Sequence, residues 1–238
     1  PVLQPIYGGA KANPFKTHLN ALDIDLYLRI SPELYLKRLL VGGFEKDYEI
    51  GRVFRNEGVD RSHNPDFTML EFYWAFANYK DLMKLTEEML SRAAHEINGS
   101  LKVKYGEEVI DFKPPWPRMP YSQSLQEMAG IDIEKNSDLN SLKALVQKKK
   151  LAVDLGGVTD FPTLLDQIYK GLVRPKIVNP TFLIDHPYSM RPLAKRKEKN
   201  PDQVESFHLI CSGVELVNAY SELNDPLDQK SRWLEEMQ

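Results

Sequence analysis

DYEIGRVFRNEGVDRSHNPDFTMLEFYWAFANY, residues 47–79, reads as two strands joined by a polar loop. The first strand ends at Phe54-Arg55. The loop carries Asn56, Glu57, Gly58, Asp60, Arg61, His63, Asn64 and Pro65, residue types that favour turns. The second strand starts near Asp66 and is rich in β-branched, aromatic and apolar residues. Side chains alternate along a strand, so Phe67, Met69, Glu71 and Tyr73 share one face. A carboxylate within an apolar face is costly unless a cation meets it. Glu71, beside a loop that begins with the guanidinium of Arg55, therefore points to a site for a ligand carrying both signs of charge.

Outward from this hairpin, Leu26–Ile30 reads as a short strand, and Ser31-Pro32-Glu33 as a helix start. Serine caps, proline suits the first turn, and glutamate favours the positive end of the helix dipole. That helix runs from Leu34 to Val41 and ends at Gly42-Gly43. Apolar residues at helical spacing predict a second helix over Lys80–Asn98, closed by Gly99. Leu101–Phe112 reads as a hairpin turning at Tyr105-Gly106-Glu107, and Pro114, Pro115, Pro117 and Pro120 mark an extended linker. Residues 121–180 are mostly helical, Thr181–Ile184 returns to strand, and 195–199 is a loop of mixed charge. Phe207–Tyr220 reads as two strands joined at Ser212-Gly213, and Pro226 starts a last helix. Asn218, Tyr220 and Glu222 share strand parity while Glu215 does not, so a common face needs a bulge near Leu216. The spacing 215, 218, 222 also suits one helix face.

The chain has 238 residues, 42% hydrophobic and 27% charged, enough for a domain-sized core. Its net charge of −3 does not fit a dedicated nucleic-acid binder, which is usually basic. A single cysteine, Cys211, excludes an internal disulfide and fits a reducing compartment; it sits in an apolar run and is expected to be buried. No run of 18 apolar residues and no signal pattern is present, so no membrane partner and a cytoplasmic location are expected.

Arg55-Asn56-Glu57 followed by HNPDFTMLEFY (63–73) resembles motif 2 of the class II aminoacyl-tRNA synthetases, in the form found in the lysine-specific members. Three further stretches agree: PIYGGAKANPF (5–15), LRISPELYLKRLLVGGFEKDYEIGRVFRNE (28–57) and VELVNAYSELNDP (214–226). The resemblance implies an α+β fold, an antiparallel sheet of about six strands flanked by helices. It also implies that residues 1–238 are part of a catalytic domain with a mostly helical insertion at about 121–180. The anticodon-binding domain, most of motif 1 and the glycine-rich motif 3 have no counterpart in the chain, which is expected to be inactive as a separate piece.

The activity so implied is a lysine–tRNA ligase reaction. A lysine carboxylate attacks the α-phosphorus of ATP, pyrophosphate leaves, and the lysyl group of the adenylate passes to tRNA(Lys). Two anions must approach, so the expected catalytic group is Arg55, whose guanidinium stays charged. By the same resemblance Glu57 recognises adenine, Phe67 stacks on it, His63 lies near the outer phosphates, and Asn218 lies near both substrates. Gly9, Glu33 and Glu71 match the α-amino side of a lysine pocket; Tyr73 and Glu222 match its ε-amino side, with Tyr220 nearby. Glu215 matches a ligand for Mg²⁺, but the second acid, seven residues earlier, is His208 here. ATP and Mg²⁺ are the expected cofactors, and lysine, tRNA(Lys) and a second copy in a homodimer are the partners expected of the complete protein. Two other readings stand beside this one: a paralogue that lysylates a protein such as elongation factor P, and a non-catalytic regulatory protein on the same fold, which His208 favours.

Overall fold

Short strands bounded by polar turns open the chain: β1 (Leu3–Gln4), β2 (Lys16–Leu19) and β3 (Ile24–Leu28) form an antiparallel sheet in the order β1-β3-β2. The structure, a computed structural model, describes residues 1–60 and 63–236, so Arg61 of the polar loop lies outside the described residues. The chain divides into two units, Pro1–Ala77 and Asn78–Gln238.

In the first unit α1 (Glu33–Val41) starts where the sequence indicates, with a shift of role: Pro32 is the N-cap residue, and the Ser31 hydroxyl accepts the Glu33 N–H at 3.1 Å. β4 (Lys46–Phe54) and β5 (Asp66–Trp74) pair in one unbroken antiparallel register of nine residue pairs, Lys46 opposite Trp74 and Phe54 opposite Asp66. Leu26, Ile30, Leu36 and Val53 are its buried apolar residues. β3 ends two residues before Ile30, which is fully buried beyond the strand.

The second unit opens with α2 (Tyr79–Asn98). A capping box between Asn78 and Asp81 starts it and Gly99, in the left-handed conformation at φ 67°, ends it. The hairpin β6 (Lys102–Tyr105) and β7 (Glu108–Asp111) turns on Gly106-Glu107. The proline-rich segment is more than a linker, because β8 (Arg118–Pro120) pairs in parallel with β9 (Thr181–Ile184). β9, β10 (Ser206–Cys211) and β11 (Val214–Tyr220) are antiparallel, giving the order β11-β10-β9-β8. The antiparallel ladders are thus spread over four sheets, and β8–β9 is the one parallel pair among the described residues.

Between β8 and β9 come α3 (Tyr121–Ala129), α4 (Leu139–Lys148) and α5 (Phe161–Ile168), then a π-helical turn, Tyr169–Val173, and a 3₁₀ turn, Arg174–Lys176. The sheet has a core on each side. Phe182, Phe207 and Leu209 meet Tyr79, Met83 and Trp116, while Leu183 and Ile210 meet Tyr121, Leu125, Leu142, Leu164 and Leu165. The strand alternation that sends Phe207 and Leu209 toward α2 sends His208 toward α3 and α5. α6 (Pro226–Glu236) follows β11, and its Arg232 donates to the carbonyls of Pro192 and Ala194 at 3.0 and 2.9 Å. The Lys195 and Lys197 N–H groups donate to the Ser221 and Gln203 carbonyls, each at 2.9 Å, and with the Lys197–Asp185 ion pair they order the 195–199 segment more than its composition indicates. Cys211 is buried.

Candidate functional site

In the first unit the register of β4 and β5 places Asp47 opposite Tyr73, Glu49 opposite Glu71 and Val53 opposite Phe67, all on one face. Like charges directly opposite repel, so Glu49 and Glu71 need partners from elsewhere. Glu49 receives a bond from Arg29, a buried arginine whose Nε also donates to the Arg52 carbonyl at 2.8 Å. Glu71 accepts from the Ser31 hydroxyl at 3.0 Å and from the Tyr73 hydroxyl at 2.7 Å. Glu33, buried at the head of α1, is paired with Lys37 at 2.6 Å, and the Lys37 ammonium lies 5.6 Å from the Tyr73 ring centre. Burial pushes the Glu71 carboxyl above its usual range; the two hydroxyl bonds pull it back, and the Glu33 charge adds to the rise. Gly9 presses its backbone onto this cluster at φ 86°, where a Cβ would stand 2.7 Å from Glu33 Cβ and 3.0 Å from Ser31 Oγ.

Arg55 donates to the Ile30 carbonyl at 3.3 Å and lies 5.2 Å over the Phe67 ring, so those two expected site residues are in contact. The loop ends are tied by the Arg55 N–H to the Pro65 carbonyl at 2.8 Å. Glu57 accepts from the Asn13 N–H at 3.4 Å, and His63 pairs with Asp60 at 2.8 Å on an exposed part of the loop. Asp47 was not singled out by sequence. Its carboxylate oxygens are enclosed without a hydrogen-bond partner of good geometry; burial raises its pKa, and the Tyr73 backbone offsets this only in part.

In the second unit the β10–β11 register runs Ser206 opposite Tyr220, His208 opposite Asn218, and Ile210 opposite Glu215. The shift between Leu209 and Ile210 leaves Leu216 as the extra residue of a bulge. That bulge corrects the parity, so Glu215, Asn218 and Tyr220 share the face of His208, and the helical alternative is excluded. Glu222 bridges to Ala194 just beyond β11.

A cavity of about 230 Å³ opens on this face, lined by Tyr121, Asp166, Tyr169, Arg191, His208, Glu215 and Asn218 among others. His186, with Ser206 Oγ at 3.2 Å from its Nδ1, stacks 4.7 Å from His208 between ring centres. Burial and the nearby Arg191 charge hold both imidazoles well below their usual pKa, so both are neutral near pH 7. The 3.4 Å contact of His208 Nδ1 with Glu215 is therefore not an ion pair, and among the described residues His208 makes no hydrogen bond through either nitrogen. Enclosure pushes the Glu215 carboxyl upward against the downward pull of Arg191. Arg191 itself donates to Asn218 Oδ1 at 3.1 Å. His186 and Arg191 lie outside the motif stretches, and Arg29 and Ser31 lie within the 28–57 stretch without marking themselves as site residues, because each reaches its cluster only through the fold.

The donors around Glu215 do not fit the magnesium site that the resemblance implies. Magnesium wants hard oxygens in octahedral array. Here Glu215 stands with a neutral imidazole and an amide oxygen already bonded to a guanidinium, and the other carboxylate of the cavity, Asp166, is paired with Lys170. Among the described residues no group of three or more His, Cys, Asp or Glu side chains is arranged to hold a metal ion. Among them, too, no helix is long and apolar enough to cross a membrane.

The chain is 48% identical over 238 residues to a lysine–tRNA ligase of Pelotomaculum thermopropionicum, 49% identical to one of Dehalococcoides mccartyi and 47% identical to one of Carboxydothermus hydrogenoformans. Each match covers 100% of this chain but 47% or 48% of the relative, so the chain spans about half the length of the curated relatives it matches. The family of class II tRNA synthetases (D, K and N) matches residues 1–238. With its four motif blocks and its mixed helices and antiparallel ladders, the chain belongs to that family of class II tRNA synthetases.

Proposed function

We propose that the protein carrying this chain activates lysine with ATP to lysyl-adenylate and transfers the lysyl group to tRNA(Lys). The observation that carries this reading is the pair of carboxylates Glu33 and Glu71, held against Gly9, Ser31 and Tyr73, where burial disfavours the charge of Glu71 unless an ammonium is near. Matches over the whole chain to proteins named lysine–tRNA ligase support it. On this reading Glu33, Glu71 and the Gly9 backbone receive the α-ammonium, and Tyr73 and Glu222 receive the ε-ammonium, with Tyr220 and Asn218 alongside. Arg55 holds the lysine carboxylate against the α-phosphate of ATP. Its place over Phe67 suits a ring that stacks on adenine, with Glu57 reading the adenine edge and His63 near the outer phosphates.

Magnesium, which neutralises phosphate charge when it arrives with ATP, would find Glu215 in a cavity whose other carboxylate, Asp166, is paired with Lys170. Residues 1–238 then form part of a catalytic domain with 121–180 as its insertion, working in the cytoplasm as a homodimer. His208 and the ill-fitting metal donors favour a second reading, a non-catalytic protein on the same fold. Lysine-dependent exchange of pyrophosphate into ATP by the full-length protein separates the two. Exchange with lysine and not with other amino acids is the expected result; no exchange with any amino acid overturns the proposal.

A further inference from the structure

The cavity beside β10 and β11 holds a charge arrangement of its own. Of its two cations, Lys170 is committed to Asp166 at 2.7 Å. Arg191 is not so committed: among the described residues its guanidinium makes no ion pair, and the bond the structure shows for it goes to the neutral Asn218 amide at 3.1 Å. A guanidinium presents five N–H donors in a planar fork, and one bond leaves most of that fork unused. On the same face stands His208, where the family resemblance calls for an acid, and His186 stacks on it at 4.7 Å. The imidazole at 208 removes a negative charge that would repel a phosphate and that a magnesium ion would need. Among the described residues His186 Nε2 and both His208 nitrogens are enclosed without a hydrogen-bond partner, so unused polar atoms line the same space.

From this geometry we infer that the cavity binds a polyphosphate anion, pyrophosphate or the phosphates of a nucleotide, through the guanidinium of Arg191, which takes the place of the metal ion that paired carboxylates would recruit. Arg191 is a fixed cation, held in place through Asn218 and through its backbone carbonyl, which lies 3.5 Å from the Arg232 guanidinium. A fork of N–H donors matches the oxygens of a phosphate in two-point fashion, and charge-assisted bonds of this kind are the stronger ones. With Asp166 taken up by Lys170, Glu215 is the carboxylate that opposes Arg191 in the cavity. Its role here is to hold the guanidinium in place by attraction, and its carboxylate weakens anion binding. This inference rests on the proposed ligase reading only for the identity of the anion; the site itself stands on Arg191, His208 and Asn218.

The test is calorimetric titration of inorganic pyrophosphate into the full-length protein, in EDTA and separately in excess Mg²⁺, with circular dichroism as the check on folding. The wild-type protein is expected to bind pyrophosphate in EDTA. Arg191→Ala should weaken that binding by about 10- to 100-fold, the range for a lost charged hydrogen bond. Arg191→Lys, which keeps charge but not the fork, should lose less. Glu215→Gln should leave binding in EDTA equal or tighter. The inference is overturned if wild-type protein binds pyrophosphate only with Mg²⁺, if folded Arg191→Ala binds as tightly as wild type in EDTA, or if Glu215→Gln abolishes binding. Pyrophosphate binding in EDTA without lysine-dependent exchange would defeat the ligase reading and leave this one intact.

Discussion

Two antiparallel hairpins carry most of the candidate site residues, and they solve the same electrostatic problem differently. β4–β5 keeps one unbroken register and gathers Asp47, Glu49 and Glu71 on one face. Two of these charges are met from outside the hairpin, Glu49 by Arg29 and Glu71 by Ser31, with Tyr73 of β5 also donating to Glu71 and Lys37 pairing the neighbouring Glu33, while Asp47 stays enclosed. β10–β11 breaks its register at Leu216 and presents one carboxylate among neutral groups, Glu215 with His208 and Asn218, facing Arg191. On the readings proposed above, the first hairpin suits a cationic ligand and the second an anionic one. The difference lies as much in the residues that surround each ladder as in the ladder itself.

Deletions should separate the two ladders most sharply. Removing Leu70 from β5 flips one half of the strand against its partner and turns Glu71 and Tyr73 to the other face. The expected cost is more than about 4 kcal/mol, read as loss of the cooperative urea transition. Removing Leu216 from β11 only regularises the ladder, since Glu215 stays opposite Ile210 and Asn218 stays opposite His208. That deletion should cost less than about 1 kcal/mol. Equal costs would show that the bulge is not an independent device.

Arg55→Lys probes the next largest effect. It keeps the charge and loses the fork over Phe67. Adenylation by the full-length protein should slow by about 100-fold, near the lower end for loss of one electrostatic stabiliser, with lysine affinity nearly unchanged. Equal losses in rate and affinity would reduce Arg55 to simple substrate binding. Gly9→Ala comes third. A Cβ at φ 86° meets Glu33 and Ser31, so the variant should lose about 1–3 kcal/mol of stability and loosen the Glu33–Glu71 cluster. An unchanged denaturation midpoint would show that the backbone at Gly9 can move away.

The smallest effect concerns Asp47. Burial holds its folded pKa above the unfolded value of about 3.9. Between the two values the folded state binds more protons, so stability falls as pH rises through that window and stays lower above it. Asp47→Asn removes this slope. The variant should gain on wild type at neutral pH, and the gain should vanish as pH falls below the unfolded value. Urea midpoints across that range would show it; a gain that persists in acid would assign the effect to packing instead of charge.

Much of the molecule is determined by local sequence. The strand ends at Phe54 and Asp66, the helix caps at Asn78 and Gly99, and the turns at Gly106 and Gly213 all follow from backbone preferences of residues a few positions apart. The common face of Phe67, Glu71 and Tyr73 follows from alternation alone, because β5 has no bulge. For β11 sequence parity states the condition, a bulge near Leu216, without choosing between bulge and helix; pairing with β10 makes the choice. The parallel pairing of β8 with β9 joins segments about 60 residues apart, and no local preference encodes such a contact. What meets each charge is likewise a property of the tertiary structure. Arg29 reaches Glu49 and Arg191 reaches Asn218 across 20 and 27 residues of chain. A charge reads the same in sequence whether it is solvated, paired or enclosed, and only the packing around it fixes its energy.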